Sequence, residues 1–112
     1  MASETIIRAG TPLMTLVNVF TVEPSKQQAL VDLLVDATKA RMRDLPGFIS
    51  ANIHKSFDGT HVVNYAQWRT KEDFEAAKKD PEAGKHMQKA ASMAKFEPIV
   101  CEVSYVDHAD TT

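Results

Sequence analysis

Read for polarity alone, the chain switches between two periods. Over residues 14–22 the apolar positions alternate, with Met14, Leu16, Asn18, Phe20 and Val22 on one face and Thr15, Val17, Val19 and Thr21 on the other. This predicts a strand whose bulkier face carries one amide. After Pro24 the period lengthens. Val31, Leu34, Val35, Thr38 and Met42, flanked by Leu30 and Leu33, form a broad stripe at helical spacing. Ser25 and Gln28 have the S-x-x-Q spacing of a capping box, which predicts a helix from there to about Asp44, ended by Pro46-Gly47. Alternation returns over 48–57 and 61–68, and the Asp58-Gly59 pair between them predicts a two-residue hairpin loop.

Counting back from that loop sets a register. Asn64 is expected opposite Ile53, Ala66 opposite Ala51 and Trp68 opposite Ile49; on the other face Tyr65 meets Asn52, His61 meets Ser56 and Val63 meets His54. Asn64 and Trp68 then share the core side with Ile49, Ala51 and Ile53. Thr70 is placed to cap a short helix over 71–79, with Phe74 and Ala77 turned inward. Asp80 and Pro81 restart it as N-cap and first helical residue. Over 82–94 a stripe of Ala83, Met87, Ala90 and Ala94 runs with His86 and Met93 beside it, and its small residues leave room next to a sheet. A last strand is expected over 97–106, with Cys101, Val103 and Tyr105 alternating against Glu102 and Ser104.

The order βαββαβ predicts an α+β, ferredoxin-like fold: a four-stranded antiparallel sheet with its helices on one face. Right-handed crossovers put the first and third strands side by side at its centre. The other face is left bare, and packing against a second copy as a homodimer is the natural remedy. One domain over 13–106 is expected, between a loose N-terminal tail (1–12) and a C-terminal tail (107–112).

Composition narrows the function. The chain has 112 residues, 44% hydrophobic and 25% charged, with net charge −2, which is ordinary for a globular domain. Its longest basic run is Lys78-Lys79, so it lacks the basic face that nucleic-acid binding needs. Cys101 is the only cysteine, which excludes an intrachain disulfide and favours a reducing, cytoplasmic setting. No apolar run reaches the length of a membrane span, and the N-terminus does not read as a signal peptide.

The adjacency of the first and third strands brings Asn18 and Asn64 together on the helix-covered face. A buried carboxamide without partners costs about 1–3 kcal/mol, so two on one apolar face require an explanation. Either backbone groups at a bulge or ordered water satisfy them, or they line a pocket and bind a carbonyl or enolate oxygen. Trp68 alone is more often core, but beside two amides it suits the wall of a site for a flat aromatic ligand. The patterns G-x-S-x-G and H-E-x-x-H and a Gly-rich phosphate loop are absent. His54 and His61 share a face but lack a third ligand, so no metal is expected. Glu23, Asp36 and Asp44 read as solvated charges.

Leu16-Val17-Asn18-Val19-Phe20-Thr21-Val22, Leu45-Pro46-Gly47-Phe48 and Val63-Asn64-Tyr65-Ala66-Gln67-Trp68 resemble the antibiotic biosynthesis monooxygenases, over about residues 14–106. The resemblance implies a dimeric α+β barrel, with sheets back to back and a site in each subunit between sheet and helices. It also implies a cofactor-independent oxidation of an aromatic polyketide by dioxygen, of the anthrone-to-quinone type. Hydrogen bonds favour the substrate enolate, which reduces dioxygen and collapses to a peroxide that loses water. Asn18, Asn64 and Trp68 match the catalytic positions so implied. Phe20, Ile53, Phe74, His86 and Met87 are the expected substrate-binding residues.

Ile53 and Phe74 stand where some anthrone oxygenases have tyrosines, which argues against a tyrosine-dependent mechanism. Two alternatives remain open. The haem-degrading branch of the same fold is similar at Asn18 and at His86, where that branch has its iron ligand, but this chain has Ala77 where that branch has its haem-ruffling tryptophan. The fold also hosts non-redox polyketide cyclases and small-molecule binding modules.

Overall fold

The computed structural model describes residues 3–110. Four strands, β1 (Met14–Thr21), β2 (Phe48–Lys55), β3 (His61–Trp68) and β4 (Lys95–Cys101), form one antiparallel sheet in the order β2-β3-β1-β4. Helix α1 (Gln27–Ala40) follows β1, while α2 (Lys71–Lys78) and α3 (Pro81–Met93) follow β3. The predicted ferredoxin-like α+β topology is borne out, with the first and third strands at the centre. Leu30 and Leu34 of α1 and Ala83 and Ala90 of α3 pack on the face that carries Leu16, Phe20, Val62 and Ala66. No helix among the described residues is long and apolar enough to cross a membrane.

Two caps form as predicted. The Thr70 hydroxyl accepts from the Asp73 N–H (3.0 Å) and the Asp80 carboxylate from the Ala83 N–H (3.0 Å), with Pro81 next in line. The capping box at Ser25 does not form. Pro24–Lys26 is instead a 3-10 turn that uses the fixed φ of Pro24, and α1 starts at Gln27 without a side-chain cap. Gln28 bonds forward to Asp32 (2.9 Å) instead of reaching back. Gln27 anchors the helix start by donating to the carbonyls of Ser56 (3.0 Å) and His61 (2.9 Å) at the hairpin mouth. The helix also stops earlier than its stripe suggested, at Ala40, and Met42–Asp44 forms a second 3-10 turn.

The hairpin register is the predicted one from His54–Val63 through Ala51–Ala66. Its loop differs. A type I′ turn needs positive φ at both central residues, and only Gly59 has it (82°), donating to the Ser56 carbonyl at 3.2 Å. The Asp58 carboxylate accepts from the Thr60 N–H (3.0 Å) and from the Ser56 and Thr60 hydroxyls (both 2.7 Å), which holds its pKa down at about 2. The residue count on each side is unchanged, so the register survives.

At the far end it does not. A bulge between Phe48 and Ser50 pairs Trp68 with Phe48, not with Ile49. Ile49 is consequently 45% exposed instead of lying in the core. The last strand also differs from its expected span: β4 begins two residues early and ends at Cys101, leaving Tyr105 exposed and bonded to Asp107 (2.8 Å).

β4 is an edge strand with Pro98 opposite Asn18. Proline has no N–H, so it fits a position whose backbone nitrogen points away from the sheet. The N-terminal stretch expected to be loose is docked on the face away from the helices. Gln67, buried there, donates to the Ile6 carbonyl (2.9 Å), and the Thr5 hydroxyl bonds the Asn52 amide oxygen.

Candidate functional site

The pairing of β1 with β3 is continuous from Met14–Trp68 to Thr21–His61 and sets Asn18 directly opposite Asn64. Their neighbours on the same face are the Leu16–Ala66 and Phe20–Val62 pairs. These pairs belong to different apolar clusters. One contains Met14, Leu16, Leu45, Ala66, Trp68, Ala77 and Ala83; the other contains Phe20, Val22, Leu30, Leu34, Val62 and Ala90. The two amides occupy the seam.

Asn18 is 6% exposed and Asn64 half-buried, and the amide oxygen of each is shielded from solvent without a hydrogen-bond partner. Satisfaction by backbone groups at a bulge fails, because β1 and β3 pair here without one. Two adjacent acceptors are thus held, in an apolar setting, against a cost of about 1–3 kcal/mol apiece. Each carboxamide offers an acceptor and two donors, so the pair is equipped to accept from a phenol or enol O–H and to donate to the oxygen it becomes.

The other predicted residues divide between the clusters. Phe20 lies in the second, with Ile53 and Met87 packed at its margin. Phe74 packs in the first, 5.9 Å from the Trp68 ring between centroids. Trp68 is 2% exposed and meets Phe48 edge-on at 5.5 Å. It stands two pairs along from Asn64, on the order of 13 Å, with Leu16 and Ala66 between. The structure therefore places the indole in packed core and not against the amides. His86 is half-buried on α3, one residue before Met87.

The His61 ring bonds the Thr60 hydroxyl (2.8 Å), and His54 is exposed. No group of three or more His, Cys, Asp or Glu able to hold a metal occurs among the described residues. The two most depressed carboxylates, Asp58 and Asp80, have structural partners. A surface concavity lined by Arg41, Leu45, Ala77, Lys79 and Asp80 includes none of the predicted site residues.

Sequence reasoning missed the neighbours on the outer side of Asn18. Pairing with β4 puts Pro98 beside it, flanked by Phe96 and Val100. The alternation of Phe96, Pro98 and Val100 was the available signal, obscured by starting the strand at Glu97.

A family model described as antibiotic biosynthesis monooxygenase matches residues 13–89. The chain is 50% identical, over 93 residues and 83% of each chain, to tetracenomycin-F1 monooxygenase of Streptomyces glaucescens. Among solved structures it resembles a monooxygenase from the gene ActVA-Orf6 of Streptomyces coelicolor, in complex with nanaomycin D. That match has a TM-score of 0.79 and 28% identity, over 87% of this chain and 92% of the other. SnoaB, a cofactor-independent oxygenase of Streptomyces nogalater, shares the fold at 21% identity and a TM-score of 0.72, over 86% and 97% of the two chains.

Proposed function

The chain belongs to the antibiotic biosynthesis monooxygenase family, and from that premise we propose that it oxidises a polycyclic aromatic polyketide with dioxygen and without a cofactor. It is an enzyme, as its 50% identity to a named monooxygenase supports. The substrate class follows the name of that relative, a monooxygenase of tetracenomycin F1, and the reaction proposed is an anthrone-to-quinone oxidation. The observation that carries the reading is the pair of buried, unpartnered amide oxygens on Asn18 and Asn64.

The enol O–H of the substrate donates to one amide oxygen on binding. Amide N–H groups then donate to the enolate oxygen once the proton has left, favouring the anion in a setting that excludes water. The electron-rich ring carbon passes one electron to dioxygen, and the resulting radical pair joins as a carbon-bound peroxide anion, which takes up the proton released when the enolate formed. Loss of water from that peroxide leaves the carbonyl of the quinone. One dioxygen is consumed per CH2 converted to C=O, with one water released, and the substrate supplies all the electrons. Phe20, Ile53 and Met87 bound the apolar side of this site. Trp68 acts from a distance, by fixing the end of β3.

The assembly we propose is a homodimer. Val17, Val19, Val63 and Tyr65 are only half-buried and Ile99 is exposed on the face away from the helices, which a second copy would cover.

The test is dioxygen uptake by the purified protein with an anthrone-type substrate and no added cofactor. One dioxygen per quinone is expected, and Asn64→Ala should lower turnover about a hundredfold, the usual effect of removing one oxyanion donor. An undiminished rate in that variant would sink the role given to Asn64.

A further inference from the structure

We infer that β4 presents an apolar ledge to the rings of the substrate that lie beyond the amides, making Phe96, Pro98 and Val100 specificity-determining residues. The inference rests on the reaction proposed above and says where the rest of a large substrate goes. Register places Val100 beside Leu16, Pro98 beside Asn18 and Phe96 beside Phe20. Opposed residues of antiparallel strands project from the same side, so all three share the helix-bearing face, one strand outward from the amides.

Their partners on β1 are all buried, whereas Phe96 is 39% exposed, Val100 46% exposed, and Pro98 also exposed. Neither apolar cluster draws a residue from β4. The helical layer thus stops over β1, and the sheet continues past it as a shelf. That shelf is joined to the interior, because the Phe96 ring lies 5.6 Å from buried Phe20, tilted by 37°. It runs about 13 Å along the strand.

The distribution of polarity identifies the occupant. Among the described residues, the buried side-chain polar atoms without a partner are the amide oxygens of Asn18 and Asn64, at the inner end, while the three side chains of the shelf carry no polar atom. A flat molecule with one oxygenated end and further apolar fused rings has that same distribution. A peptide strand would instead need backbone partners along its whole length, and Pro98 withholds one.

The experiment compares a three-ring anthrone with a linear four-ring analogue on wild type, Phe96→Ala, Phe96→Leu and Val100→Gln. Phe96→Leu keeps a side chain against Phe20, so it tests the ring even if the alanine variant folds poorly. KM for the four-ring substrate should rise about tenfold in Phe96→Ala, the scale of one lost aromatic contact, with kcat held and the three-ring KM unchanged. Equal losses for both substrates, or none, overturn the ledge.

Calorimetric titration with the two quinone products needs no turnover. A wild-type preference for the four-ring quinone that disappears in the Phe96 variants supports the ledge even if no dioxygen is consumed, an outcome that would overturn the reaction alone. A change in sedimentation of the Phe96 variants would mark the shelf as a protein interface and overturn the inference.

Discussion

At the scale of single residues, the role proposed for Asn18 and Asn64 sets function against stability. A buried amide oxygen without a partner costs stability, so Asn18→Leu or Asn64→Leu, close in shape and without the polar demand, should each stabilise the protein by about 1–3 kcal/mol in urea unfolding while removing turnover. A loss of stability in both variants would mean that the amides are satisfied in solution. The pairing of these residues was legible in the sequence because it depends only on a hairpin count and on chain topology. The separation of Trp68 from them was legible as well, four residues of strand being on the order of 13 Å. Its packing partners were not, because one bulge at Ile49 altered the contacts at that end.

At the scale of elements, the junction between α2 and α3 is fixed by Asp80. Its carboxylate accepts two bonds from the Arg41 guanidinium (2.7 and 3.0 Å) as well as the Ala83 N–H, and these, Arg41 first, hold its pKa down at about 2. An unfolded aspartate titrates near ~3.9, so this contribution is intact above about pH 4 and is lost as the pH falls toward 2. Asp80→Asn retains a cap acceptor but does not titrate. Its urea midpoint should decline less between pH 4 and pH 2 than that of wild type; Asp58, depressed to about 2 as well, keeps the remaining slope from vanishing. An identical pH profile for variant and wild type would assign the acid sensitivity elsewhere. The cap itself could be read from the Asp-Pro pair. Its arginine could not, being 39 residues away in sequence and brought near only when α1 ends at Ala40. The same limit hid Gln27: a local pattern suggested a box at Ser25, while the bonds that hold the helix start reach across to the hairpin.

At the scale of the whole molecule, strand order and the one-sided helical layer followed from element order and handedness alone. What covers the other face did not. The N-terminal stretch takes part of it, through Gln67 and Asn52, and leaves Val17, Val19, Val63, Tyr65 and Ile99 for the partner that the proposed dimer would supply. Sedimentation at micromolar concentration should therefore show a dimer, and Val19→Glu together with Ile99→Glu should give a monomer with unchanged circular dichroism. A dimer that survives both charges would place the interface on another surface.

Pro98 bears on how such a dimer can be chosen over other assemblies. The outer edge of β4 would otherwise be a row of free amides and carbonyls, a template onto which another chain could add a strand, and another after it. One missing N–H, at the middle of that row, interrupts the template. Association by growing the sheet sideways, which has no natural end, is disfavoured against association by stacking two sheets, which closes at two copies. The proline beside Asn18 would thus also make the number of subunits finite.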